Sequence, residues 1–385
     1  MALSALVWNS FGLFLLSLEA AFSAPRAAVA AAFSVFALFG ALSAPFVGMA
    51  MDRLGSRRVL VSLSAIMGAC LLATAAAPGV WTIWISFGVV GGVAAHAFGS
   101  YVVFMAMARR FRRRPATAMA VADAGSGLSV FLVLPLLEQS IAAFGWRTTY
   151  VAIAVVMATA GILLHALVFD PIRPPGRAAA RLVGSALLRP RLLVLALAFL
   201  CGSGAFQGLL TSQIALMAEH GIPLDTAATV AAVGGLAIFL WRLLCGWLCD
   251  RWSVAGVMVL AAIAGASAFV ALGWIMASGP RAHLALWSYP VTLGIAFGGT
   301  QIILAIAAMR LSTADSYPVV YGVGRLASGL GMAIGPLLAA AAHDATSGHG
   351  LSMTILAGAT ALHFSGFVWT IRGAKMRTGD NSVAH

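Results

Sequence analysis

Twelve apolar stretches, each about 20 to 27 residues long, follow one another with short polar breaks between them. A helix rises about 1.5 Å per residue, so each stretch is long enough to cross a hydrocarbon core of roughly 30 Å. They run approximately over 2–22, 27–51, 58–77, 80–107, 117–141, 146–169, 191–218, 225–249, 254–277, 282–309, 317–342 and 348–372. Spanning strands need only about 9 to 11 alternating residues, which excludes a barrel. The chain is 62% hydrophobic and 9% charged, whereas soluble domains carry about 25% charged residues. The expectation is an all-α polytopic membrane protein of twelve transmembrane helices. No cleavable signal peptide is read, because the first apolar segment is followed by another span. That segment begins almost at Met1, which leaves open a start farther upstream.

The basic residues give the orientation. Of 23 Lys and Arg, 18 fall at one face: Arg53, Arg57 and Arg58, the run Arg109 to Arg114, the stretch from Arg173 to Arg191, Arg251, Arg310, and Arg372, Lys375 and Arg377. Only Arg26, Arg147 and Arg281 fall at the other, and Arg242 and Arg325 lie inside spans. The positive-inside rule then puts both termini in the cytoplasm. A net charge of +12 is thereby read as topology, with no nucleic-acid partner. Pro171, Pro174, Pro175 and Pro190 interrupt helix and mark a linker. The expected organisation is a six-helix half over 1–169, a cytoplasmic linker over 170–190, a second six-helix half over 191–372 and a cytoplasmic tail over 373–385.

A Gly-x-x-x-Asp-Arg signature occurs once in each half, 198 positions apart: Gly48 to Asp52 and Arg53, and Gly246 to Asp250 and Arg251. Each copy ends a span and opens a basic loop, which points to a duplicated transporter. Gly48 admits a close neighbouring helix. Asp52, at a helix end, suits the N-terminal amides of another helix. Gly55 allows the sharp turn, and Arg57 and Arg58 hold the loop at the cytoplasmic face. The plain alternative is an ordinary charged loop. Cys70, Cys201, Cys245 and Cys249 all sit in apolar segments and read as packing residues. Cys245 and Cys249 share a helix face, but nothing nearby except Asp250 would complete a tetrahedral set, so no metal is expected.

The full pattern over 48–58 resembles the loop between helices 2 and 3 of the major facilitator superfamily, and the resemblance covers essentially the whole chain. It implies two six-helix halves, with Asp52 tying helix 2 to helix 11. The second copy lacks the later glycine and basic pair. A narrower resemblance, to the monocarboxylate transporter and oxalate–formate antiporter branch, rests on several segments taken together. These are Ser10-Phe11-Gly12, Arg112-Arg113-Arg114-Pro115, Ala124 to Gly127, Phe144-Gly145-Trp146-Arg147, Gly335-Pro336 and Asp344 to Gly348.

The charges inside spans carry the chemistry. Arginine at a span centre costs about 2.5–3.5 kcal/mol on insertion scales and by default marks a function facing a cavity. Arg242 lies 8 residues before Asp250, and Arg325 lies 7 after Pro318, so both sit on the order of 10–12 Å from the cytoplasmic face. In this superfamily helices 8 and 11 line the central cavity. Two forked cations at one depth suit a carboxylate; snorkelling or capping of carbonyls is the structural alternative. Arg242 matches the branch's helix-8 arginine, but Ile238 stands where animal monocarboxylate transporters have an aspartate. A second cation on helix 11 resembles the oxalate–formate antiporters.

Asp123 lies well inside its span, and the expectation is that it pairs with Arg242 when the site is empty and couples transport to protons. Tyr101, Gln301 and Asn9 are neutral candidates for the same layer, and His96 could titrate near the midplane. Each of these also has a plain packing reading. The glycines of 125–127 and of 322–335 suit helices at a rocking interface.

No Gly-x-x-x-x-Gly-Lys-Ser/Thr, His-Glu-x-x-His or Gly-x-Ser-x-Gly occurs, which argues against an ATP-driven pump, an enzyme or a cofactor. The expected function is secondary transport of a small organic anion, mono- or dicarboxylate. The driver would be proton symport or exchange against a counter-anion, and the protein a monomer in the lipid bilayer of a bacterial inner membrane. Efflux of neutral or cationic compounds, and substrate sensing without turnover, stay as alternatives.

Overall fold

The computed structural model describes residues 3, 5–8, 10–111, 113–168, 190–313, 316–346 and 348–372, excepting some side chains such as those of Asp52, Tyr101 and Arg109. The expected linker over 170–190, apart from Pro190, the tail over 373–385 and Asn9 lie outside the described residues. Those described form no strands and fall into twelve helical rods. The first is α1, Ala5–Trp8 continued by Phe11–Phe22; then come α2, Arg26–Leu54, and α3, Ser56–Ala75. The next, α4, starts at Val80 and ends at Arg110. Pro115–Val168 is one hydrogen-bonded run bent at Gly145 (φ 78°, ψ 163°), which separates α5 (115–144) from α6 (146–168). In the second half follow α7, Pro190–Glu219, α8, Leu224–Arg251, and α9, Val254–Ser278. Last come α10, His283–Phe297 with Thr300–Leu311, α11, Tyr317–Thr346, and α12, His349–Arg372. Among the described residues, nine stretches are long and apolar enough to cross a membrane, and shorter apolar runs lie in α1 and α2.

Local chemistry sets the joints. At the α5–α6 bend, Gly145 supplies the positive φ and Trp146 is buried. Arg147 lies 4.1 Å over the Trp146 ring and donates from Nη2 to the Ala77 carbonyl beyond α3, at 3.0 Å. Between α2 and α3, Gly55 turns with φ 87°. Inside the first half, α1, α2 and α4 meet through stacked rings, with Phe87 4.9 Å from both Phe11 and Phe36.

Two spans expected to run unbroken do not. In α4, a wide π turn over Trp84–Gly91 leads to a 3-10 turn at Ala95–Ala97, and Gly99 is extended (φ −78°, ψ 164°) before helix resumes at Ser100. In α10, helix lapses at Gly298 and Gly299 and resumes at Thr300. Ala97-Phe98-Gly99 and Ala296-Phe297-Gly298 match at these points, 199 positions apart, so the interruption recurs with the duplication.

The halves pack chiefly through α2 on α11 and α5 on α8. The parts of α4 and α10 that join this packing are those beyond the interruptions, Ser100–Arg110 and Thr300–Leu311, which run toward the arginine-rich face. At α5–α8 the backbones nearly touch, because a Cβ on Gly246 would collide with Ala120 and the Ala116 carbonyl. The α11 glycines divide: Gly329 faces Ala41 of α2 across the halves, while Gly331 and Gly335 lie against the α7 backbone within their own half.

Candidate functional site

Arg242, on α8, faces both an acid and a carbonyl. Its Nε lies 3.0 Å from Asp123 Oδ2 on α5 and 3.3 Å from the Gly298 carbonyl at the α10 interruption. The Asp123 side chain is 7% exposed and that of Arg242 24%. A buried carboxylate needs such a partner, since an uncompensated charge in a low-dielectric layer is costly. The recorded contacts of Arg242 all use Nε. Its terminal nitrogens make no ion pair or hydrogen bond with another described residue, although they carry the fork that grips a carboxylate.

On α11, Arg325 donates from Nη1 to Gln301 Oε1, in the first turn of α10 after its interruption. The charges of Arg242 and Arg325 both bear on Asp123, and that of Arg325 also reaches His96. Thus Asp123, Arg242, Gln301 and Arg325 come together from α5, α8, α10 and α11. His96 is held away in α4, where Nε2 lies 2.8 Å from the Gly40 carbonyl and 3.1 Å from Ser43 Oγ, both on α2. The side chain of Tyr101 and all of Asn9 lie outside the described residues.

The loop signature is visible in its second copy. Asp250, at the end of α8, accepts hydrogen bonds from the backbone amides of Ala116 (3.1 Å, to Oδ1) and Thr117 (2.7 Å, to Oδ2). These are among the first amides of α5, which begins at Pro115 and has no internal acceptors for them. A carboxylate there also meets the positive end of the helix dipole. Arg251 lies 4.9 Å over the Trp247 ring. In the first copy, Gly48 and Gly55 are buried, Arg53, Arg57 and Arg58 are exposed, and the Asp52 side chain is not described.

Sequence reasoning placed the cations and the acid at one depth. It missed the Gly298 carbonyl, whose only signal is the glycine pair at 298–299. It assigned the cross-half tie to Asp52 and set Asp250 and Arg251 beside it as gating candidates, without naming the α5 amides that Asp250 accepts from.

The sequence profile of the Major Facilitator Superfamily matches residues 1–336. Among curated proteins, the chain is 25% identical over 267 residues to the uncharacterized MFS-type transporter YcxA of Bacillus subtilis, covering 65% of this chain and 63% of that one. It is 28% identical over 303 residues to human monocarboxylate transporter 11, covering 75% and 60%. The chain therefore spans less than two thirds of the length of these two relatives. It is also 29% identical over 341 residues to the probable nitrate/nitrite transporter NarK2 of Mycobacterium tuberculosis, covering 84% and 82%. A solved Major Facilitator Superfamily transporter, FucP in the outward conformation, superposes with a TM-score of 0.74 at 16% identity, covering 96% of each chain.

Proposed function

The chain belongs to the Major Facilitator Superfamily, and from that premise we propose that it is a secondary transporter of a small organic anion. The observation that carries the reading is the Arg242 fork, held by Nε between Asp123 and the Gly298 carbonyl, with Arg325 in the same layer. Two fixed cations in a water-poor layer repel cationic substrates and offer a carboxylate paired N–H donors. The names of the relatives, monocarboxylate transporter and nitrate/nitrite transporter, describe anions and support the same direction.

The proposed cycle uses the two halves as rigid bodies. The arginine-rich face, assigned to the cytoplasm by the positive-inside rule, is where the halves meet and where Asp250 clasps α5. The anion enters from the opposite face and takes the terminal nitrogens of Arg242. Competition for the guanidinium loosens its hold on Asp123, which then favours its neutral form and carries the coupling proton. Release of the Asp250 clasp opens the cytoplasmic face. Exchange against a counter-anion would need no proton on Asp123.

The test is uptake by proteoliposomes of the purified protein, with labelled lactate, pyruvate, oxalate and succinate, with and without an inward proton gradient. Saturable uptake of one acid that is lost in Arg242→Ala and Arg325→Ala supports the anion reading. Uptake of no acid, or uptake indifferent to both substitutions, overturns it.

A further inference from the structure

At the other membrane face, away from the arginine pair, three helix ends bring together three metal-ligand side chains. Glu219 closes α7, His343 lies in the last turn of α11, and His349 opens α12. His349 Nε2 is 3.0 Å and His343 Nε2 is 3.5 Å from the same oxygen, Glu219 Oε2. The two imidazole centroids are 4.5 Å apart, and one ligand atom from each residue lies within 4.8 Å of the others. The His349 side chain is 6% exposed, and its Nε2 is buried without a hydrogen bond of ordinary geometry. Glu219 and His343 are 48% and 32% exposed, so the cluster opens to water on one side. His220 stands behind it, with its ring centroid 6.4 Å from that of His349 and its Nδ1 2.7 Å from the Leu216 carbonyl.

We propose that Glu219, His343 and His349 form a binding site for a divalent transition ion of the Zn2+ type, with water as a fourth ligand. Two imidazole nitrogens converge on one carboxylate oxygen, and the buried His349 Nε2 approaches it without the geometry of a hydrogen bond. Two protonated imidazoles so close would repel each other. A single divalent ion satisfies all three groups. Tetrahedral Zn2+ with bonds of about 2.1 Å separates its ligand atoms by about 3.4 Å, close to the 3.0 and 3.5 Å between the carboxylate oxygen and the two imidazole nitrogens. A set of two imidazoles and one carboxylate selects borderline ions over Mg2+ and Ca2+, which take oxygen ligands. All three helices belong to the second half, so the ion would brace that half and leave the contact between halves untouched.

The experiment uses the full chain, purified in detergent and stripped with a chelator, then titrated with Zn2+ against a chromogenic competitor. The expected result is one ion per chain at micromolar affinity or tighter, weakened at least tenfold in both His349→Ala and Glu219→Gln. His283→Ala, an exposed histidine at the same face, should bind as the parent does. Co2+ in place of Zn2+ should give the visible absorption of a tetrahedral site in the parent, and Glu219→Gln, which keeps the side chain's shape, should abolish it. No stoichiometric binding, or binding equal in parent and both variants, overturns the proposal. A thermal midpoint that follows pH but ignores Zn2+ overturns it too, in favour of a shared proton.

Discussion

The interruptions in α4 and α10 occupy equivalent places in the two halves, yet they serve different chemistry. In α4 the chain becomes fully extended at Gly99, and the nearby polar side chain, His96, turns to α2 in its own half. In α10 the lapse is milder, with Gly299 at φ −92° and ψ −3°. There the Gly298 carbonyl receives Arg242, and Gln301 just beyond receives Arg325. Duplication supplied the same backbone device twice. One copy became packing and the other a mount for two cations, while the first half contributed the carboxylate that balances them.

That contrast yields an ordered set of expectations. The largest effect belongs to Arg242→Ala. Removing one member of a buried charge pair costs about 2–5 kcal/mol, so uptake at subsaturating substrate should fall about 30-fold or more. An unimpaired Arg242→Ala protein would make the α10 interruption as structural as that of α4. Next is Asp123→Asn, which should bring the ratio of uptake with and without a proton gradient to about one while exchange of labelled for unlabelled substrate persists; a retained gradient response would remove Asp123 from coupling.

Smaller is Asp250→Ala, which strips the first amides of α5 of their acceptor. By analogy with helix caps this costs about 0.5–2 kcal/mol. The shift should appear as faster thiol labelling of a cysteine introduced near the arginine-rich mouth, with unchanged labelling pointing to a passive contact. The smallest is His96→Ala, the partner experiment to Arg242→Ala. It loses a hydrogen-bond set worth about 1 kcal/mol, so the thermal midpoint should drop by a few degrees. Uptake should stay within about threefold of the parent, and a collapse of transport would move His96 into the site.

The rods were legible because length and apolarity write a membrane span directly into the chain. That Arg242 and Asp123 lie at one level was legible as well, since helical rise converts residue count into position. The interruptions were not, because neither contains proline and glycines are common throughout. The approach of Glu219, His343 and His349 was equally hidden: Glu219 lies more than a hundred positions before the two histidines and meets them only after its helix has packed on theirs. Asp52 and Asp250 looked alike in sequence, but only the structure shows what the second one grips.

The acceptor on that grip is a carboxylate, whereas its donors are main-chain amides of Ala116 and Thr117. Replacing the Thr117 side chain by any residue except proline keeps its amide in place, whereas Ala116 is fully buried and its carbonyl lies against Gly246, so a larger side chain there would part α5 from α8. Most substitutions at position 117 would therefore leave the main-chain contact to Asp250 standing. Natural drift at position 117 would be equally free, and an alignment column there could vary without loss of the contact. Proline at position 117 is the informative exception, because it deletes an amide and leaves Asp250 itself intact.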